Sequence, residues 1–203
     1  MVREVRIYAE GGGNANLSRN KLRTGLNQFL VPLCRLARAR QIFWSVIPCG
    51  PRSVTFESFR LALRKHPAAF NVLLVDSEAP VSQSPWQHLE ERDGWTVPDS
   101  PDEQCHLMVH SMESWLLADP AALAGFYGQG FRPKALPKVA DVETIPKEKI
   151  AAALQHATRE TQKGPYHKIR HGPDLIGRLD PAQVRQRAKH CDRLFVTIET
   201  LLR

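Results

Sequence analysis

The chain has 203 residues, of which 42% are hydrophobic and 24% are charged, and its formal net charge is +7. This composition excludes extensive disorder, and the length suits one domain, or one domain with a small appendage. No apolar stretch approaches the roughly 18 residues of a membrane span, and the N-terminus lacks the apolar core of a signal peptide, so we expect a cytoplasmic protein without a membrane partner.

The first predicted elements are a strand, a glycine turn and a long helical segment. Residues 5–9 (VRIYA) predict a short buried strand, and Glu10 and Gly11–Gly13 follow it directly. From Ser18 to Arg40, apolar residues recur at helical spacing and basic residues occupy the other face. Pro32 predicts a kink there, or a break into two helices. The predicted core positions of this segment are Leu22, Leu26, Phe29, Leu30, Leu33 and Leu36.

Further strands follow in alternation with helices. Strands are predicted over 41–47, 70–75 and 105–109, with a helix ending near His66 between the first two. The run FNVLLV at 70–75 is apolar throughout, as expected of a central parallel strand. The Pro-, Ser- and Asp-rich stretch 79–103 predicts an irregular insertion with one short helix near 86–91.

The second half is predicted to be helical with one long loop. Helices are expected over 110–119, 147–161, 173–179 and 181–202, the last with a break near His190, and residues 126–149 read as loop. The alternation in the first half predicts an α/β fold with a mostly parallel sheet of about four strands flanked by helices. We therefore expect an α/β core at 1–125 and a loop-rich, helical C-terminal extension at 126–203 packed on the same domain.

Three carboxylates follow the predicted strands at one sheet edge. Glu10 comes directly after the first strand, and Asp76 and Glu78 come directly after the third. Parallel strands bring their carboxyl ends to the same edge, where ligands of such sheets bind. Crowded carboxylates repel unless a cation or protons lie between them, and hard oxygen ligands suit Mg²⁺ or Mn²⁺. The alternative is that these acids are ordinary helix caps or polar loop groups.

The chain resembles the bacterial family known as domain of unknown function 4276, over most of its length. The matching segments are YAEGGGNA, LLVDSEAPV, PWQHLEERDGW, HLMVHSMESWLLAD, GQGFRPKALPK and QKGPYHKIRH. A strand-Glu-Gly segment with a later acidic-x-acidic pair also resembles the Toprim domain of topoisomerases, primases and overcoming-lysogenization-defect nucleases. The resemblance implies a Toprim-like fold. It also implies phage-defence loci with an AAA or ABC-type ATPase partner.

The resemblance assigns roles to individual residues. The Toprim glutamate falls on Glu10, and the acidic pair falls on Asp76 and Glu78, where Toprim domains usually have Asp at the second position. Glu113 matches the family's His-x-x-Glu-like segment, as a further ligand or general base, or as a buried carboxylate paired with Arg or Lys. His110 is either a metal ligand or proton shuttle, or a satisfied polar group.

A polar, basic segment at 162–171 is the second candidate site, and we expect it to be exposed. Charge-assisted contacts from this segment suit phosphate, and Lys163 and Lys168 are the best candidates; the alternative is a solvated basic loop. The candidate phosphate or nucleic-acid ligands are Lys163, Tyr166, His167, Lys168, Arg170 and His171. Gly11–Gly13 is not a Walker A motif, because no Gly-Lys-Ser/Thr follows it.

These patterns predict a Mg²⁺- or Mn²⁺-dependent nuclease acting on DNA or RNA. The family resemblance implies that it acts in anti-phage defence with an ATPase partner. The rival hypothesis is an inert Toprim-like regulatory or scaffolding subunit whose acids pair with Arg or Lys. A third is phosphotransfer or phosphatase chemistry on a small molecule, which a narrow pocket would favour. The four cysteines form no C-x-x-C pair and predict buried free thiols. Homo-oligomerisation is left open.

Overall fold

A computed structural model describes residues 2–97 and 100–203 of the chain. The strands are β1 (Glu4–Glu10), β2 (Phe43–Gly50), β3 (Phe70–Asp76) and β4 (Cys105–Met108). The helices are α1 (Asn16–Phe29), α2 (Val31–Ala39), α3 (Arg52–Lys65), α4 (Pro85–Asp93), α5 (Glu113–Ala118), α6 (Pro120–Tyr127), α7 (Lys147–Thr158), α8 (Lys168–Ile176), α9 (Pro181–Arg187) and α10 (Lys189–Leu201). Short 3₁₀ turns occupy Asp102–Gln104, Pro133–Ala135 and Val142–Thr144.

The four strands form one parallel sheet in the order β2-β1-β3-β4. This confirms the predicted α/β class with a parallel sheet flanked by helices. β2 continues through Pro48 to Gly50, beyond the predicted end at residue 47. An edge strand tolerates a proline because its missing N–H need not pair with a further strand. The predicted insertion at 79–103 contains α4 as expected, and its residues 98 and 99 lie outside the described part.

Apolar side chains alternate between the two faces of the sheet, as strand geometry requires. Val5, Ile7 and Ala9 of β1 face a large cluster that includes α1, α2, α5, α8 and α10, whereas Tyr8 faces a smaller cluster under α3 and α4. The large cluster mixes side chains from both halves of the chain, for example Leu26 with Phe195. The C-terminal helices are therefore part of the main core.

Pro32 breaks the long helical segment into two helices, which is one of the two outcomes predicted. α1 ends at Phe29, and Pro32 lies in the first turn of α2, where its missing N–H has no helical partner to lose. The predicted core positions are buried except Leu36, which is 42% exposed. That assignment was wrong because Leu33, Cys34 and Ala37 form the buried face of α2, and Leu36 lies off this face.

Two further features of the chain concern the cysteines and the helices. All four cysteines are free and buried, which confirms the predicted buried thiols. Within residues 2–97 and 100–203, none of the helices has both the length and the apolar character that a membrane crossing requires.

The contact between α1 and α8 brings the second candidate site to the sheet edge. Gly25 of α1 sits where a Cβ would come within 2.1 Å of the carbonyl oxygen of Pro173 and 2.7 Å of Ile176. α1 and α8 therefore approach backbone to backbone, and the first residue of α8, Lys168, is held over the ends of β1 and β3.

We expect Gly25→Ala to destabilise the protein by about 1–3 kcal/mol, because the added methyl group overpacks a backbone contact. The matched control is Gly125→Ala in α6, where no atom lies within 4 Å of the new Cβ. That change should be neutral or stabilise the helix by up to about 1 kcal/mol. Urea denaturation of both variants measures the difference. Equal effects would contradict the described packing of α1 on α8.

Candidate functional site

The three predicted acids converge at the carboxyl ends of β1 and β3. Glu10 is the last residue of β1, Asp76 is the last residue of β3, and the two strands are parallel neighbours. One carboxylate oxygen from each of Glu10, Asp76 and Glu78 lies within 4.8 Å of the other two. The predicted convergence is confirmed, and the extra methylene of Glu78 relative to Asp does not carry its carboxylate away.

The backbone that presents these acids is held in an unusual conformation. Glu78 and His110 have φ values of 65° and 60°, in the left-handed region that non-glycine residues seldom adopt. The Glu78 N–H donates to the His110 carbonyl (3.1 Å), and the His110 N–H donates to the Ser77 hydroxyl (2.8 Å). These bonds tie the loop after β3 to the loop after β4, and such local strain is typical of functional sites.

Asp76 is the most buried of the three acids, at 2% exposure. Its Oδ1 accepts the Met112 N–H at 2.8 Å, and its Oδ2 lies 3.4 Å from the Lys168 ammonium. Burial raises the pKa of Asp76 to about 7; Lys168 lowers it, and the charges of Glu10 and Glu113 raise it. Asp76 therefore exchanges a proton near neutral pH.

The Glu10 carboxylate has two partners, a backbone N–H and an arginine side chain. Its Oε2 accepts the Asp76 N–H at 3.1 Å and lies 3.3 Å from Nη1 of Arg52. Burial raises the pKa of Glu10, and the Arg52 charge opposes that increase. Arg52 is itself fixed, because its Nη2 pairs with Asp93 at 2.6 Å and its guanidinium lies over the Trp95 ring.

Each acid of the cluster thus has a cationic partner. Arg52 pairs with Glu10, Lys168 with Asp76, and Lys147 with Glu78. The sequence did not single out Arg52 or Lys147. Arg52 opens α3 at the end of β2, on the same sheet edge as the acids, so that position was a usable signal. Lys147 comes from α7, and no local pattern connects it to Glu78.

Glu113 is joined to the cluster through Lys168. It opens α5, its Oε1 accepts the Tyr166 hydroxyl at 3.0 Å, and its Oε2 lies 3.5 Å from the Lys168 ammonium. This is the paired arrangement that the sequence left as one of two alternatives. Burial and the Glu113 charge both raise the pKa of Tyr166, so its hydroxyl stays a hydrogen-bond donor.

The main chain of His110 helps to hold the loop after β3, through its hydrogen bonds to Glu78 and Ser77. Its ring is buried and lies beside the backbone of Glu143, and burial lowers the pKa of His110. The lowered pKa favours the neutral imidazole at pH 7.

The segment 162–171 is only partly exposed, so the predicted exposure was wrong for two of its residues. Tyr166 is buried against Glu113, and His171 is buried beside Tyr127, whose hydroxyl is 3.0 Å from its Nδ1. Aromatic rings whose polar atoms have hydrogen-bond partners pack well in buried positions. The basic composition of the segment gave no sign of this burial. His167 and Arg170 are exposed, and Lys163 is exposed with its ammonium over the Phe126 ring. Of the six candidates, Lys168 alone contacts the acidic cluster within the described residues.

A cavity of about 340 Å³ opens beside the acids. One wall carries Glu10, Asp76 and Lys168, and the other walls are mainly glycine backbone and apolar side chains. Gly12, with φ of 82°, could not carry a side chain, because a Cβ would lie 2.9 Å from the backbone of Arg19. The glycine turn therefore packs closely on α1, and its backbone forms part of the cavity wall.

A family model described as "Domain of unknown function (DUF4276)" matches residues 9–199. The chain belongs to the DUF4276 family. This confirms the family resemblance, and the match runs from β1 to α10, so the DUF4276 region includes the acids and the cations paired with them. No curated protein and no solved structure matches the chain.

We expect the free energy of unfolding to fall for the wild type relative to Asp76→Asn as the pH rises from 5 to 8. An unfolded aspartate ionises near pH 4, but folded Asp76 keeps its proton until about pH 7. Between these values the folded state binds more protons, so stability declines with rising pH. The difference in free energy of unfolding between the wild type and Asp76→Asn should change by at least about 1 kcal/mol over this pH range, since one pKa unit corresponds to about 1.4 kcal/mol.

Chemical denaturation of both proteins at several pH values, without divalent ions, measures this difference. A difference that is flat with pH would show that Asp76 ionises normally and is not crowded by Glu10 and Glu113.

Proposed function

We propose that this DUF4276 protein is a metal-dependent phosphodiesterase, and specifically a nuclease acting on DNA or RNA. The observation that carries the proposal is the convergence of Glu10, Asp76 and Glu78, with carboxylate oxygens within 4.8 Å of one another. Opposite oxygen ligands of Mg²⁺ are about 4.2 Å apart, so small side-chain rotations would bring these oxygens to ligand distance. The donor set therefore fits Mg²⁺ or Mn²⁺.

Bound between these acids, the ion would polarise a phosphate and lower the pKa of a water molecule. Side chains of the protein would supply the other charged groups of the site. Without a metal Asp76 keeps its proton until about pH 7, so the ion would bind in exchange for that proton. Arg52 places a fixed positive charge at the same edge. The side chain of Lys168 is 51% exposed, so its ammonium can turn from Asp76 to a phosphate oxygen in the adjoining cavity.

The cavity bears on the kind of phosphate that the site would accept. Its volume of about 340 Å³ is at the small end of the roughly 300–1,000 Å³ usual for ligand sites. That space suits one nucleotide-sized group, so the reacting phosphate would belong to a strand end or to a small phosphate ester. The glycine walls allow the backbone of such a ligand to come close.

A second candidate function is an inert Toprim-like regulatory or scaffolding subunit. The observation in its favour is that Arg52, Lys147 and Lys168 already neutralise the acids without a metal. The ATPase partner, the role in phage defence and the cytoplasmic location are part of both proposals. They rest on the family resemblance and, for location, on the buried free thiols.

We expect Glu10→Gln and Asp76→Asn to reduce cleavage of single- and double-stranded DNA and RNA by at least about 100-fold. Loss of a direct metal ligand should exceed the 10–100-fold effects of outer-shell changes. The control is Glu57→Gln, which removes an exposed carboxylate on α3. Assays with Mg²⁺, Mn²⁺ or EDTA measure the rates. Cleavage that survives both substitutions would exclude the proposed mechanism.

We expect Lys147→Met to tighten Mn²⁺ binding about two- to fivefold, because it removes the ammonium that competes for Glu78, a pair worth up to about 1 kcal/mol. Lys149→Met is the matched control, since it removes the same charge from an exposed position of the same helix. Calorimetry measures both affinities. The scaffold proposal instead predicts no measurable Mn²⁺ binding by the wild type or either variant.

A further inference from the structure

The positive charge of this protein is concentrated in one stretch of sequence. Residues 11–56 contain seven basic residues and no aspartate or glutamate, so this stretch carries the same charge, +7, as the whole chain. Arg52 belongs to the acidic site. The other six lie on or next to α1 and α2: Arg19, Lys21, Arg23, Arg35, Arg38 and Arg40. None of these six forms an ion pair with a carboxylate side chain of the described residues.

A groove of about 760 Å³ lies in this basic region, between the end of α1, α2 and the start of β2. Arg35 and Arg38 line it on α2, and Asn27 and Gln28 line it on α1. Two aromatic residues at the start of β2, Phe43 and Trp44, complete the wall. None of the side chains that line the groove is acidic, so its only charged groups are the two arginines.

The two aromatic residues differ in exposure. Trp44 is half-buried against the main core, and its Nε1–H donates to Asn27 Oδ1 at 3.1 Å, which fixes the indole in the wall. Phe43 is 75% exposed, at the edge of the sheet, and it is the most exposed large apolar side chain among the described residues. Such a ring is costly to leave in water and is available for stacking on a planar partner.

We propose that this groove binds single-stranded nucleic acid, with Arg35 and Arg38 on the phosphates and Phe43 stacked on an unpaired base. Basic grooves with exposed aromatic rings bind single strands, because every base has a face that can stack. A duplex keeps its bases stacked on one another and so cannot use the Phe43 ring. The proposal rests on the proposed function, because it names the form of nucleic acid that the acidic site would receive.

The groove is separate from the acidic site. α1 begins at the glycine turn beside Glu10 and ends beside the groove, and its 14 residues span about 21 Å. Arg19, Lys21 and Arg23 lie along this helix. A strand held in the groove can therefore follow α1 towards the acids and deliver its end to the smaller cavity.

The test measures binding of fluorescent 25-nucleotide single strands, DNA and RNA, and of the matching duplexes, by anisotropy in EDTA. Binding without cleavage separates this proposal from the proposed function. We expect single strands to bind more tightly than duplexes, and Arg35→Gln/Arg38→Gln to bind single strands at least tenfold more weakly. The slope of log affinity against log salt should become less steep by about 1.4, for two lost contacts at about 0.7 each.

Phe43→Ala should weaken single-strand binding at least about fivefold, the low end of one base–aromatic stack, and Phe43→Trp should retain it. The matched controls are Arg64→Gln and Leu61→Ala, two exposed α3 residues away from the groove, which should bind like the wild type. Thermal melts check that all variants are folded.

Three outcomes would overturn the proposal. The first is wild-type affinity in both the arginine variant and Phe43→Ala. The second is duplex binding as tight as single-strand binding. The third is an Arg35- and Arg38-dependent affinity for a poly-glutamate peptide without oligonucleotide binding, which would make the groove a contact for an acidic protein. Groove-dependent binding without any cleavage would instead support the groove and contradict the nuclease.

Discussion

The mutual repulsion of three carboxylates at the ends of two neighbouring strands is the constraint on which the rest of the site depends. Glu10, Asp76 and Glu78 cannot all be ionised in so small a volume unless positive charge lies close to them. The protein meets this constraint with one cation for each acid and with a raised pKa for Asp76. A divalent ion bound directly to the carboxylates would also neutralise their negative charge, at a shorter distance than the three cationic side chains. The ion and these side chains would therefore compete for the carboxylates.

The compensating cations come from parts of the chain far from the acids. Arg52 starts α3, whereas Lys147 and Lys168 start α7 and α8 in the C-terminal half. α7 and α8 pack into the same core as β1 and β3, so folding of the C-terminal half completes the electrostatics of the sheet edge. Lys168 differs from the other two cations, because its ammonium pairs with both Asp76 and Glu113 and its side chain also lines the cavity.

Charge is divided between the two ends of α1. At its start, acids and cations nearly balance around a small cavity, which suits the handling of one phosphate. At its end, uncompensated arginines and an exposed aromatic ring line a larger groove. A metal site and a binding site for a nucleic-acid strand require opposite local charge. Crowded carboxylates repel a polyanion, whereas a basic groove attracts it. The acids and the proposed strand-binding groove lie towards opposite ends of α1, which would satisfy both demands.

The sequence by itself determined the parallel α/β core, a kink or break at Pro32 and the meeting of the three acids. Strand ends follow from local apolar runs, and parallel strands bring those ends to one edge of the sheet. It did not reveal Lys147 beside Glu78, the burial of Tyr166 and His171, or the exposure of Leu36. Those depend on how distant helices pack on the sheet. Side-chain partners 44 to 69 residues apart leave no periodic signal, and packing on the core decides which face of α2 is buried. Only the tertiary structure therefore decided these features.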